Sequence, residues 1–136
     1  MKILFVCRGN VGRSQMAEAL FKKYIKGDYS ISSAGTKLSG EECPLVDLPL
    51  AENVIDVIKE EGIDVSQNYR NQLTEEIFNK ADKVVLVVDD ADPLPDYVIG
   101  RDKVIRWSVP DPKGTTLERH REILNQIKKL ILFTTF

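Results

Sequence analysis

Histidine, tryptophan and cysteine are scarce in this chain of 136 residues: His120 and Trp107 stand alone, and Cys7 and Cys43 are the two cysteines. No His, Cys or Asp cluster has metal-ligand spacing, so no metal and no other cofactor is expected. Two cysteines do not make a disulfide framework in a chain that reads as intracellular, so at least one thiol should be free. No apolar run approaches the length of a membrane span. The opening stretch Met1 to Val6 is apolar but stops at Cys7-Arg8, too short for a signal-peptide core and with no small-residue cleavage site behind it, which leaves a cytoplasmic location as the expectation. Neither sign of charge dominates: 19 Lys and Arg face 21 Asp and Glu, for a formal charge of -2. With Lys and Glu intermixed there is no basic face for nucleic acid and no polybasic run for a membrane surface, and neither is expected as a partner. Repeats and low-complexity tracts are also missing.

What is present is ordinary for one soluble domain spanning 1–136, with 43% hydrophobic and 29% charged residues. Lys2 to Val6 reads as a buried strand, and Ala17, Leu20, Phe21 and Tyr24 recur at helical spacing over about Ser14 to Lys26, with Gly27 as the stop. Tyr29 to Ser33 reads as a second strand, followed by a loop rich in Gly, Pro and acidic residues to about Pro49. Ala51, Val54, Ile55 and Ile58 mark a second helix closed by Gly62. Thr74, with Glu75 and Glu76 behind it, starts a short third helix that ends near Ala81. The unbroken run Val84 to Val88 is a central strand covered on both faces, and Val104 to Trp107 is a fourth. Thr115 and Glu118 stand at capping-box spacing before a last helix carrying Leu117, Ile123, Leu124, Ile127, Leu130 and Ile131 on one face. Strands alternating with helices predict an α/β fold, a parallel four-stranded sheet between helix layers in three-layer α/β/α order. In such a sheet the ligand crevice lies beyond the C-terminal strand ends, where the loop after Cys7 and the loop at Asp111 both emerge.

The chemistry concentrates in Cys7-Arg8-Gly9-Asn10-Val11-Gly12-Arg13-Ser14, between the first strand and the first helix. Gly9 and Gly12 let the backbone curl with its amides inward, and the helix start adds further amides and a positive dipole end, a cradle for a tetrahedral dianion. Arg13 can bind two phosphate oxygens with its planar fork, which Lys could not imitate. The spacing of the two glycines is too short for a Gly-x4-Gly-Lys nucleotide loop. A free thiol titrates at about 8.5, and helix N-termini and nearby cations lower that to roughly 3.5 to 7.5. Cys7 is thus expected to be a thiolate at neutral pH, in line to attack phosphorus and form a phosphocysteine. Asp111, flanked by Pro110 and Pro112 on a loop stiffened by both rings, is the candidate general acid.

A Cys-x5-Arg-Ser loop at the first strand end, with Asp-Pro before the last helix, resembles the low-molecular-weight protein tyrosine phosphatase family, and the likeness spans nearly the whole chain. The residues that carry it are Val6 to Ala19, Ser33-Ala34-Gly35-Thr36, Leu73-Thr74-Glu75-Glu76 and the Val84 strand. The resemblance implies the phosphotyrosine phosphatase I-like fold, with Cys7 as nucleophile, Arg13 as oxyanion clamp, and Asp111 as acid and then base. It further implies Asn10 as a loop-shaping hydrogen-bonder and Ser14 as a donor that eases thiolate departure. Arg8, Gly9, Asn10, Val11, Gly12 and Ser14 would bind the substrate, a phosphorylated protein or small aryl phosphate, with inorganic phosphate as product and inhibitor. This chain has Gly12 where many members have a second Cys, and Lys113-Gly114 where tyrosine phosphatases of the family put an aromatic wall. Val11 is aliphatic, as in tyrosine-specific members, whereas the related phosphoarginine phosphatases carry Thr there.

Two alternatives share the loop. Thioredoxin-coupled arsenate reductases have the same fold, and Gln15 with Asp-Pro-Lys is similar to them, but their relay needs two thiols after the third strand and Val84 to Tyr97 has none. An external thiol would then complete the cycle. The other alternative is a non-catalytic relative that keeps the oxyanion cradle. Outside the loop, Cys43 reads as an exposed or half-buried thiol and His120 as a solvated residue of the last helix. Asp89, Asp90 and Asp92 read as a charged loop near the site rim, and Tyr97 and Trp107 as core or rim residues.

Overall fold

In the computed structural model, which describes residues 1–136, the chain runs β1 (Lys2–Cys7), α1 (Arg13–Tyr24), β2 (Ser30–Gly35), α2 (Glu52–Lys59), α3 (Glu75–Lys80), β3 (Lys83–Val88), β4 (Val104–Ser108) and α4 (Leu117–Phe133). Short 3₁₀ turns at Leu45–Asp47, Pro49–Ala51 and Asp96–Val98 punctuate the loops. All strand pairs are parallel, in the order β2-β1-β3-β4.

The two central strands are buried along almost their whole length, which is why they are apolar runs rather than alternating ones. Their side chains alternate between two cores. Ile3, Phe5, Val85 and Val87 face the larger one with α1, α2 and α4, whereas Leu4, Val6, Val84, Leu86 and Val88 face a smaller one with Phe78 of α3 and Val98. This is the three-layer α/β/α arrangement read from the alternation of elements. Phe5 is the pivot of the larger core, with the rings of Phe21, Trp107 and Phe136 all within 6.5 Å of its own. Burial of one such side chain contributes about 1.5–3 kcal/mol.

Several boundaries differ from the sequence reading. Helix α1 ends at Tyr24 rather than Lys26, because Ile25 turns extended (φ −105°, ψ 119°) and its amide closes the last turn on Phe21. Strand β2 lies one to two residues later than expected, since its Ala34-Gly35 end pairs with Val6-Cys7. The cap of α4 is Thr116 rather than Thr115: Thr116 Oγ1 accepts from the Arg119 amide, while the Thr115 hydroxyl donates to the carbonyl of Pro112. Thr74 caps α3 as read, accepting from the Ile77 amide at 3.2 Å.

Both central strands end on one side of the sheet, at Cys7 and Val88. The amide of Val109 donates to the Val88 carbonyl at 2.8 Å, which carries the pairing of β4 one step further and brings the Pro110-Asp111-Pro112 segment over the same edge.

Candidate active site

Cys7 is the last residue of β1 and is buried at the floor of a cleft of roughly 530 Å³. Beyond it the backbone amides of residues 8 to 12 donate to no protein acceptor, and helix α1 begins at Arg13 without a side-chain cap. These unpaired donors and the helix start follow Cys7 directly, with Arg8, Gly9, Val11, Gly12 and Arg13 lining the same cleft, an arrangement suited to an anion. Asn10 is the one residue other than glycine with a positive φ, 52°, a conformation that asparagine tolerates better than most residues.

Hydrogen bonds fix that conformation and the orientation of the Asn10 amide. The Asn71 amide donates to Asn10 Oδ1 at 2.8 Å, so Asn10 must present its Nδ2 to Ser14. Asn10 Nδ2 donates to Ser14 Oγ at 2.7 Å, which leaves the Ser14 proton free to be donated, and Cys7 Sγ lies 3.0 Å away. Gln15, fully buried, braces the loop from behind by donating to the carbonyls of Asn10 and Tyr69. Arg70 does the same from the side, its Nε and Nη2 donating to the Gly9 carbonyl and its Nη1 to that of Ser39.

Arg13 enters from the first turn of α1 and is 2% exposed. Its Nη1 donates to Asp92 Oδ2 at 2.7 Å and to the Val109 carbonyl at 3.0 Å. Nε and Nη2 donate to no protein acceptor, so one edge of the guanidinium is anchored while the other can serve two oxygens of a bound anion. Burial disfavours the Arg13 cation, but the bond to Asp92 and the charges of Cys7 and Asp111 outweigh it, and its pKa is raised. Asp92 mirrors this: burial pushes its carboxyl up, yet the bond from Arg13 and the amide of Asp89 bring it below its ordinary value of 3.8.

Asp111 stands at the mouth, its side chain 38% exposed, with Oδ2 3.6 Å from Arg13 Nη2 and Oδ1 accepting from the Lys113 amide at 3.0 Å. The buried Pro112 ring next to it packs on the cradle, its Cγ lying 3.6 Å from where a Cβ on Gly12 would stand. Topology thus brings Cys7, Arg13 and Asp111 into one cleft, as the strand order implied. Part of the wall is aliphatic: Leu38, Leu48, Leu50 and Val54 line the cleft, and Trp107 and Tyr97 do not. Trp107 lies in the larger core, and Tyr97 packs edge-on against Phe78 at 5.6 Å.

The sequence model described as "Low molecular weight phosphotyrosine protein phosphatase" matches residues 2–132. The chain belongs to that family. Among low-molecular-weight phosphatase relatives, an arsenate reductase of Brevibacillus brevis is 31% identical over 125 residues, 92% of this chain and 87% of that one. Arsenate reductase 1 of Bacillus cereus is 34% identical over 93% of this chain and 91% of its own length. The low molecular weight protein tyrosine phosphatase from T. tengcongensis superposes with a TM-score of 0.77 at 30% identity, covering 96% of this chain and 95% of that one. The YwlE arginine phosphatase from Geobacillus stearothermophilus does so with a TM-score of 0.78 at 26% identity, covering 96% and 87%. Family membership makes the chain a relative of enzymes, phosphatases and arsenate reductases alike.

Two readings of this family member's site change with the structure, and one residue joins it that the sequence did not single out. Asp92 is no rim charge but a buried partner of Arg13. The signal was its place just past the end of a central strand adjacent to β1. His120 is buried rather than solvated: its Nδ1 lies 2.8 Å from the Thr116 carbonyl, which can only accept, so that nitrogen carries the proton and the ring turns inward to line the cleft. Arg70 had no local signal, since it reaches Gly9 across 61 residues. Both thiols are free, and Cys43 is half-buried as read.

Two predictions follow from these contacts. Gly35 is where β2 meets the cradle, and a Cβ there would stand 2.6 Å from the Arg8 carbonyl and 2.8 Å from the Asn10 amide. Gly35→Ala should therefore displace the loop, lowering both the melting temperature and the affinity for inorganic phosphate. Asp92→Asn leaves Arg13 buried without its counter-charge, at a cost on the order of 3 kcal/mol. By letting the guanidinium drift it should also lower kcat/KM about 100-fold. Because the folded-state carboxyl titrates below its unfolded value, its stabilisation is complete above that value and is lost as pH falls through the lower one. Melting curves from pH 7 downward should show a loss beginning below about pH 4 in the wild type, and a smaller one in Asp92→Asn.

Proposed function

We propose that the protein is a phosphomonoester hydrolase acting on aryl phosphates, phosphotyrosine among them, through a cysteinyl-phosphate intermediate. The single observation that carries this reading is Cys7 Sγ beneath unpaired loop amides and the open edge of the Arg13 guanidinium, with Asp111 across the same cleft. The aliphatic wall of Leu48, Leu50 and Val54 suits the flat face of an aryl group where other family members use an aromatic residue.

In the first step the Cys7 thiolate attacks phosphorus, the bond from phosphorus to the leaving oxygen breaks, and Asp111 gives its proton to that oxygen. Loop amides and Arg13 take up the charge that develops on the equatorial oxygens. In the second step the Asp111 carboxylate accepts a proton from water, the resulting hydroxide oxygen bonds to phosphorus, and the sulfur leaves as thiolate. The Ser14 hydroxyl, directed at Cys7 Sγ by Asn10, supports the charge returning to sulfur. Inorganic phosphate is the second product and competes for the cradle.

A second reading is supported by the curated relatives named arsenate reductases. Arsenate would occupy the same cradle, but its reduction needs two electrons from thiols. Cys43 is the one other thiol in the chain, so an external thiol would have to supply the rest. Hydrolysis of 4-nitrophenyl phosphate and thiol-dependent loss of arsenate, measured on one preparation, separate the two. Phosphatase turnover without arsenate loss is expected; arsenate loss without phosphatase turnover would reverse the assignment, and neither activity would leave an anion-binding relative.

A further inference from the structure

The cleft is strongly cationic in a chain whose net charge is -2. Arg8, Arg13, Lys37, Arg70 and Lys113 line it against the single carboxylate of Asp111. Two of these cations are committed: Arg13 to Asp92, and Arg70 to the carbonyls of Gly9 and Ser39. The other three are exposed, and no ion pair in the structure includes Arg8, Lys37 or Lys113. One phosphoryl dianion is already matched by the loop amides and Arg13. Three further cations at the mouth exceed what a lone phosphate requires.

Their placement follows from the strand order. Lys37 lies just past β2, where its amide donates to the Arg8 carbonyl at 2.9 Å and joins the two residues on one lip. Lys113 follows β4, on the opposite edge of the sheet. Three inter-strand spacings, roughly 14 Å, separate those edges, and Pro112 folds back onto Gly12, which brings Lys113 in toward the cradle from its side. A span of up to that width is covered by four to five residues of extended chain at about 3.3 Å each.

We propose that the preferred substrate is a protein segment with acidic residues within about three positions on both sides of the phosphorylated residue, one flank meeting Arg8 and Lys37 and the other Lys113. The inference rests on the phosphatase reading for its central phosphoryl group and adds the chemistry of the flanks. Acidic flanks are steered to the cleft and retained by exposed pairs, each modest and all weakened by salt.

Binding to the Cys7→Ser variant tests this without requiring turnover. Calorimetry with two phosphotyrosine peptides of equal length, one flanked by aspartates and one by glycine and serine, should give about tenfold tighter binding of the acidic peptide at low salt. The ratio should shrink as salt is raised and fall to about twofold, the part left to Arg8, in a variant that also carries Lys37→Gln and Lys113→Gln. Equal affinities in the parent variant, a ratio undiminished by both lysine substitutions, or no binding of either peptide would overturn the proposal. Wild-type hydrolysis of 4-nitrophenyl phosphate, measured alongside, shows whether the phosphatase reading stands or falls independently of the flanks.

Discussion

Replacing Cys7 with serine should abolish hydrolysis of 4-nitrophenyl phosphate, with a loss on the order of 10⁴ to 10⁶-fold in kcat, while inorganic phosphate still binds. A hydroxyl at that position is nearly isosteric, and the loop amides, the Arg13 guanidinium and the Asn10 to Ser14 bond are not supplied by the sulfur. The cradle should therefore persist. What should disappear is the nucleophile, because a serine hydroxyl in this site has no adjacent general base to remove its proton; its side-chain neighbour, the Ser14 hydroxyl, is not one. Steady-state kinetics and phosphate titration on the same variant separate the two effects. Parallel loss of turnover and of phosphate binding would mean that the substitution had collapsed the loop, and unchanged turnover would remove Cys7 from the chemistry.

Asp111→Asn should lower kcat by about 10² to 10⁴-fold for phenyl phosphate, whose leaving oxygen needs a proton, and by much less for 4-nitrophenyl phosphate, whose leaving oxygen does not. Asparagine keeps an acceptor for the Lys113 amide, so the loop geometry should be retained. It cannot give up a proton to the leaving group, nor accept one from water in the second step. With a good leaving group the variant should then form phosphocysteine faster than it breaks it down, and the covalent species should accumulate. A plot of log kcat/KM against leaving-group pKa should steepen in the variant. Equal slopes in the two enzymes would place the proton donor elsewhere in the cleft.

The parts of this site that were legible in the sequence are those made by neighbours in the chain. Residues 7 to 14 form a strand end, a turn and a helix start in unbroken order, so the spacing of Cys7, the glycines and Arg13 already specified a cradle. Parallel topology then did the work of a long-range contact by bringing Asp111 to the same edge. Contacts that depend on side chains meeting across many residues were not legible. Asp92 was visible as an acidic residue past β3, but nothing local distinguished it from Asp89 and Asp90, and its pairing with Arg13 spans 79 residues. His120 sits among Glu118, Arg119 and Arg121, whose charge suggests a solvated face. At 3.6 residues per turn, however, it falls one turn before Ile123 and Leu124 on the buried side of α4, where Thr116 ties down its Nδ1. The cap of α4 slipped by one residue because two adjacent threonines offered the same chemistry, and the turn at Pro112 claimed the first of them.

The aliphatic wall shows the same limit. Lys113-Gly114 signalled that an aromatic residue was missing after Asp111-Pro112, but the apolar residues that line the cleft include Leu48, Leu50 and Val54, more than fifty residues earlier in the chain. Composition could not reveal it, since scattered leucines in a loop do not announce a shared surface until the 3₁₀ turns at Leu45–Asp47 and Pro49–Ala51 set Leu48 and the exposed Leu50 along the cleft. The core itself was easier to read, because β1 and β3 are continuous apolar runs and the helices carry their buried residues at regular spacing.

Central to the account is a covalent bond between the sulfur of residue 7 and phosphorus. Rapid acid quenching of the enzyme during turnover of 4-nitrophenyl phosphate, followed by mass spectrometry of its peptides, tests it directly. A phosphate group on the peptide containing Cys7, transient in the wild type and more abundant in Asp111→Asn, is the predicted result. A wild-type enzyme caught in full turnover with no phosphate on that cysteine, or with phosphate on another residue, would contradict it.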